Sequence, residues 1–201
     1  MEQFSTPERL PEASTKQGFL LWLWEMTKVV VISLVIIIPV RMFVFQPFVV
    51  QGASMEPNFQ EKEYLIIDEI SQRFEPRVRG QVIVFHPPQN PDTYYIKRII
   101  GLPGETVQFK DGQITIFNST KPAGFVLDES AYLPSSEIDV YYQDKITLAT
   151  DQYFVLGDNR RNSLDSRKIG PIPTDHIRGK VLVRAFPFSK FMIFSSPTYN
   201  F

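Results

Sequence analysis

The chain has 201 residues, with 21 basic and 22 acidic side chains, two His and no Cys. The near-neutral balance lacks the basic excess of a nucleic-acid binder, so no nucleic-acid partner is expected. The missing thiols exclude Cys nucleophiles, disulfides and Cys-ligated zinc. With only His86 and His176, a three-histidine metal site is also excluded, and any Ser-His-Asp triad has to use one of these two.

Residues 1–20 are polar, with Glu2, Glu8, Arg9, Glu12 and Lys16, and read as a disordered tail. Residues 21–45 change character: Leu20 to Trp24 is apolar, Glu25, Thr27 and Lys28 interrupt, and Val29 to Val40 runs VVVISLVIIIPV. That uninterrupted core is 12 residues long, short of the roughly 20 that span a bilayer. A span is completed if Lys28 and Arg41 snorkel to the two interfaces. Trp22, Trp24, Phe43 and Phe45 then fall in the aromatic belts. The expectation is an uncleaved signal-anchor, since Gln51-Gly52-Ala53 has Gln where a cleavage site needs a small residue. Arg9, Lys16 and Lys28 before the apolar core lean the orientation toward N-terminus inside, with residues 46–201 outside.

Beyond the anchor the pattern is β. Phe48-Val49-Val50, EYLIID at 63–68, GQVIVF at 80–85, YYIKRII at 94–100, YFVL at 153–156 and Val181 to Ala185 read as short strands. TVQFKDGQITIF at 106–117 reads as a hairpin, because Asp111-Gly112 separates two alternating runs. Residues 118–144 lack periodicity and read as an irregular insertion. Short strands between Pro, Gly and Asn turns predict a mainly β, barrel-like or sandwich domain behind one N-terminal transmembrane helix.

Three clusters carry candidate chemistry. Ser54 lies in Gly52-Ala53-Ser54-Met55-Glu56-Pro57, where Gly52 permits unusual dihedrals and Pro57 restrains Glu56. A serine on such a turn presents its hydroxyl beside its own backbone N–H, the pairing of nucleophile and oxyanion donor that acyl transfer needs. Lys97 lies in YYIKRIIG, where strand alternation puts Tyr95, Lys97 and Ile99 on one face. Between apolar neighbours an ammonium loses hydration and its pKa falls, so a neutral lysine can take a proton from serine; the guanidinium of Arg98 cannot. The third cluster, Gly157 to Arg167, reads GDNRRNSLDSR: Ser163 could orient a lysine amine, and Asp165 with Arg167 could form a charge-assisted pair. Each cluster also has a plainer reading: a turn serine, a strand lysine with its head in water, a solvated polar loop. His86 and His176 have no catalytic or ligand spacing and read as structural or surface residues.

The order anchor, SMEP, YIKRIIGLPGE, GDNRRNSLDSR strongly resembles bacterial type I signal peptidases, over roughly residues 40–185. The resemblance implies Ser54 as nucleophile, Lys97 as general base and Ser163 as the serine that positions the lysine. It also implies Asp165 and Arg167 as a structural pair and Met55 as a pocket-lining residue. It implies a large antiparallel β domain beside a cell or thylakoid membrane, with no metal or cofactor. Expected partners are the signal peptides of exported preproteins and the lipid bilayer, and a monomer is expected. Four positions depart from the family pattern. Asn58 stands for the usual Thr, Arg161 for a common acidic residue, Gln81 for the usual Asp, and Gly52 for a serine that in some members donates to the oxyanion. At Gly52 that donation falls to backbone N–H groups, beginning with that of Ser54.

Overall fold

A computed structural model describes residues 15–43, 45–71, 74–134, 144–197 and 199, in two units that divide between Met42 and Phe43. The first unit is one helix, α1, Thr15–Phe43. Its Gly18–Ile37 stretch has a mean hydropathy of 2.0 and no buried share. The helix begins at Thr15, ahead of residue 21, where the sequence reading starts the anchor. The charged interruption is tolerated since Lys28 donates to Glu25 at 2.6 Å, one helical turn apart. Trp22 and Trp24 are exposed on this helix. The tail up to residue 14, and the side chains of Arg41, Phe43 and Phe45, lie outside the described residues.

The second unit is mainly β. Its strands are β1 Phe45–Val49, β2 Tyr64–Asp68, β3 Val82–Phe85, β4 Tyr95–Gly101, β5 Thr106–Lys110 and β6 Gln113–Phe117. They are followed by β7 Phe125–Val126, β8 Asp144–Thr147, β9 Gln152–Leu156, β10 Ile172–Pro173, β11 Ile177–Phe186 and β12 Met192–Ile193. One sheet has the order β1-β2-β11-β3-β4-β9-β10, with β12 added to β11; the other runs β7-β6-β5-β8. Every pairing among the described residues is antiparallel.

Local chemistry explains the hairpin. Asp111 and Gly112 both take positive φ, 50° and 75°, which matches a turn whose twist suits the flanking strands. The alternating side chains then divide cleanly, with Val107, Phe109, Ile114 and Ile116 buried. They pack with Ile100, Leu148, Phe154 and Leu156, joining the smaller sheet to the end of β4 and to β9. At that junction Gly101 has no room for a side chain: a Cβ would meet Val107 Cγ2 at 2.6 Å and Leu148 Cδ1 at 2.7 Å.

The larger sheet is curled. Strands β2, β11 and β3 separate β1 from β4 in the sheet order, yet β1 and β4 face each other across one cleft. Below it Val50, Met55, Phe59, Leu65, Ile67, Val82, Val84 and Val181 form a single apolar cluster. The irregular reading of 118–144 gives way to β7 inside that stretch and β8 at its end, while residues 135–143 lie outside the described residues.

Candidate active site

Ser54 sits on the turn that follows β1, entered through Gly52 at φ 77°. The turn is pinned from two sides. Phe59 N–H donates to Met55 O at 2.9 Å within it, and Asn159 N–H donates to Ser54 O at 3.1 Å. The Asn159 side chain adds a bond from Nδ2 to Ala53 O, also 3.1 Å. Met55 is fully buried in the apolar cluster beneath, so it does not stand on the cleft wall where the family resemblance placed it. The residue after Ser54 anchors the turn to the core while Ser54 faces the opening.

Lys97 reaches the same opening from the middle of β4. Its Nζ lies 2.7 Å from Ser54 Oγ and donates to Ile96 O at 2.8 Å. Burial removes water from the ammonium and brings its pKa down to about 8, although Asp165 and Asp158 pull it the other way. The strand alternation read from YYIKRII is realised: Tyr95 shares the lysine's face, with its ring centroid 5.5 Å from Nζ. Tyr95 in turn meets Phe85 edge to face, which fixes the aromatic side of the site.

The loop after β9 supports both residues. Asp165, wholly buried, accepts from Arg167 Nε at 2.8 Å and Nη2 at 2.7 Å, as the sequence pairing anticipated. It also caps the short helix α2, Ser166–Ile169, and accepts the Gly157 N–H at 3.0 Å. Burial alone would raise the Asp165 carboxyl. Arg167, the Gly157 N–H and the Ser163 hydroxyl together hold it below the usual carboxylate range. Ser166 Oγ accepts from Val155 N–H at 3.0 Å, tying the loop to β9.

Ser163 does not hydrogen-bond Lys97 here. Its Oγ is buried and forms no hydrogen bond of normal geometry, although the hydroxyl stands close enough to Asp165 to favour the charged carboxylate. It lies instead against Gly157, where an added Cβ would stand 2.2 Å from Ser163 Oγ and 2.5 Å from Ser54 O. Gly157→Ala is therefore expected to cost about 2 kcal/mol of stability through overpacking. It is also expected to lower kcat/KM by about 10²-fold by displacing Ser54. Thermal unfolding and steady-state kinetics on the same preparation check both; unchanged kinetics would show that the loop does not set the serine's position.

A buried polar network behind the site went unread in the sequence. Arg98, on the opposite face of β4 from Lys97, donates to Asp158 from Nε at 2.8 Å and Nη2 at 2.6 Å. Its guanidinium also lies 4.0 Å from the Tyr132 ring centroid and donates to Gly80 O. Asn58, a departure from the family pattern, bridges Asp158 Oδ2 at 2.9 Å and Tyr132 O at 2.7 Å. Arg160 pairs with Glu129 through two bonds, of 2.8 and 2.5 Å. Neither histidine reaches Ser54: His86 Nδ1 lies 3.1 Å from Thr93 O, and His176 Nδ1 lies 2.9 Å from His86 O. Among the described residues no group of three or more His, Asp or Glu is placed to hold a metal.

Ser54 and Lys97 open onto a cleft of about 560 Å³. Pro47 to Gln51 form one wall, Thr93 to Lys97 the other, with Leu65 and Val84 on the floor and Leu164 at the Ser54 end. The cleft is long, apolar and open to solvent, which suits an extended peptide and leaves the hydroxyl accessible.

The family model described as "Signal peptidase, peptidase S26" matches residues 23–186. A "Signal peptidase I" of Leptolyngbya laminosa is 37% identical over 175 residues, covering 84% of this chain and 82% of that protein. A "Signal peptidase I" of Bacillus amyloliquefaciens is 34% identical over 182 residues, covering 89% of this chain and 94% of that protein. A solved signal peptidase I from Enterococcus faecalis V583 shares 32% identity, covers 53% of this chain and 97% of that chain, and superposes with a TM-score of 0.43. With the family match running from within α1 to the end of β11, this chain belongs to the signal peptidase family, peptidase S26, and is a hydrolase.

Proposed function

We propose that the chain is a membrane-anchored serine endopeptidase that removes N-terminal signal peptides from exported preproteins, cleaving after small residues at the first and third positions before the cut. The observation that carries this reading is the 2.7 Å approach of Lys97 Nζ to Ser54 Oγ at the end of an apolar cleft. Neutral Lys97 accepts the Ser54 proton as Oγ attacks the scissile carbonyl carbon. The Ser54 backbone N–H supports the oxyanion. The protonated lysine then gives its proton to the leaving amine, and an acyl-enzyme remains on Ser54 Oγ. Water, deprotonated by Lys97, releases the cleaved segment and restores both side chains.

The substrate lies extended between β1 and β4, where main-chain bonds supply affinity and shallow apolar walls select small side chains. Residues 21–45 act as a single-pass anchor in a cell or thylakoid membrane, with 1–20 inside and 46–201 as the extracytoplasmic catalytic domain. Holding enzyme and preprotein at one surface raises their effective concentration without new contacts. A monomer suffices for this chemistry, since Ser54 and Lys97 come from one chain.

The test is the pH profile of kcat/KM on a preprotein in detergent. The base must be neutral, so activity should climb tenfold per pH unit below the Lys97 pKa and level off above about 8. A fall in activity as the pH rises through 8 to 9 would sink the neutral-lysine assignment. Ser54→Ala should leave no measurable cleavage at any pH.

A further inference from the structure

The mouth of the cleft away from Ser54 is bridged by side chains that the proposed chemistry does not use. Phe48 from β1 and Tyr94, just before β4, meet across it edge to face, with ring centroids 4.9 Å apart. Both line the cleft. Their strands are not neighbours in the sheet, so this contact exists only because the sheet curls. Behind Tyr94 the His86 ring lies 4.2 Å away, and His86 is itself held by Thr93 O and by the His176 ring nitrogen. Tyr94 is thus backed by a fixed ring on one side, yet 45% of it remains exposed.

The spacing defines what passes there. Tyr94 precedes Lys97 by three residues along extended backbone, a separation of about 10 Å. A peptide strand running parallel to β4, with its first residue before the cut level with Lys97, brings its fourth residue to the Phe48–Tyr94 pair. We infer that the Phe48–Tyr94 pair is a further specificity-determining element, one that reads the fourth residue before the cut and favours a large apolar side chain there. This rests on the cleft being the acyl-side groove of the Ser54–Lys97 reading.

The physical reason is the balance of contacts at the clasp. A glycine at that position covers neither ring, and the peptide has to cross the clasp without burying its apolar surface. A leucine or phenylalanine lies on the exposed Tyr94 face and against the Phe48 edge, removing apolar area from water on both partners. One well-filled apolar contact of this size discriminates by roughly tenfold or more. The clasp therefore complements the small-residue selection near Ser54: small side chains beside the serine, a bulky apolar one at the far end.

The experiment measures kcat/KM for a peptide series identical except at the fourth position, carrying Gly, Ala, Leu or Phe, with wild type and Tyr94→Ala. Wild type should prefer Leu over Gly by about tenfold. In Tyr94→Ala the preference should shrink to within about twofold. Phe48→Leu, which keeps an apolar side chain at the cluster edge, should flatten the Phe preference more than the Leu preference. If Tyr94→Ala does not fold, as judged by its thermal transition, Tyr94→Leu takes its place and should reduce the Phe preference. A Leu-to-Gly ratio near one in wild type, or a ratio unchanged in the Tyr94 variants, overturns the clasp. Ser54→Ala run on the same peptides separates the two readings. If cleavage persists without Ser54, the nucleophile assignment fails; if cleavage needs Ser54 but is blind to the fourth residue, only the clasp fails.

Discussion

Lys97→Met should abolish cleavage and make the protein more stable at neutral pH. Turnover should fall by about 10³-fold or more, since methionine fills the same volume but cannot accept the Ser54 proton. The stability gain follows from the cost of holding a buried ammonium. The lysine pKa drops from 10.5 to about 8, a difference of 2.5. At about 1.4 kcal/mol per pKa unit, that is about 3 kcal/mol. Losing the Nζ contacts to Ser54 Oγ and Ile96 O takes back part of it, about 1 kcal/mol each at most. A net gain of about 1–2 kcal/mol raises Tm by about 3–6 °C in a domain of this size.

The sign of the pH dependence distinguishes this cause from better packing. Below pH 8 both the folded and the unfolded wild type carry the proton on Lys97, so the penalty is constant. Between pH 8 and 10.5 the unfolded chain binds the proton and the folded one does not, so wild-type stability rises with pH from this group. The Tm advantage of Lys97→Met should therefore be largest at pH 7 and fade as the pH approaches 10. Thermal scans of both proteins across that range check it. A lower Tm for the variant at pH 7, or an advantage that does not fade, means that Lys97 is not held at a cost.

The 2.7 Å pairing of Ser54 and Lys97 joins two residues whose sequence signals are local. A glycine-entered turn placed Ser54, and a seven-residue strand with alternating faces placed Lys97 and Tyr95 together. The hairpin at Asp111-Gly112 was legible for the same reason, its turn chemistry being written in two residues. Strands β8 and β12 were not legible, because their side chains are mostly exposed and show no alternation. The early part of β11 was hidden because Arg178, Gly179 and Lys180 supply no apolar side chain to signal a strand. Gly179 is there because the Asp68 carbonyl oxygen would lie 2.7 Å from any Cβ, a demand set by a strand distant in sequence. The positions of Met55 and Ser163 also depend on tertiary packing, and both differ from what the family resemblance implied. A charged residue such as Arg98 or Glu129 looks like surface in sequence, since only the folded partner shows that it is buried and paired.

Arg98→Met should be the most destabilising single change at the site. It leaves the fully buried Asp158 carboxylate with Asn58 as its remaining side-chain partner. Breaking a buried pair from one side costs about 3–5 kcal/mol, a large share of the 5–15 kcal/mol that holds a typical domain folded. Adding Asp158→Asn removes the uncompensated charge while keeping an acceptor for Asn58, and the double variant should regain at least half of the lost stability. Urea midpoints of the wild type, both single variants and the double variant give the coupling directly. If Arg98→Met costs less than about 1 kcal/mol, the pair is not structural. Activity should fall further than stability alone accounts for, and the route is traceable. Asp158 adjoins Asn159, whose N–H and Nδ2 hold Ser54 O and Ala53 O. β4 thus uses its two faces for different ends: in the proposed chemistry Lys97 takes the Ser54 proton on one, and Arg98 on the other braces the loop that holds Ser54 2.7 Å from that lysine.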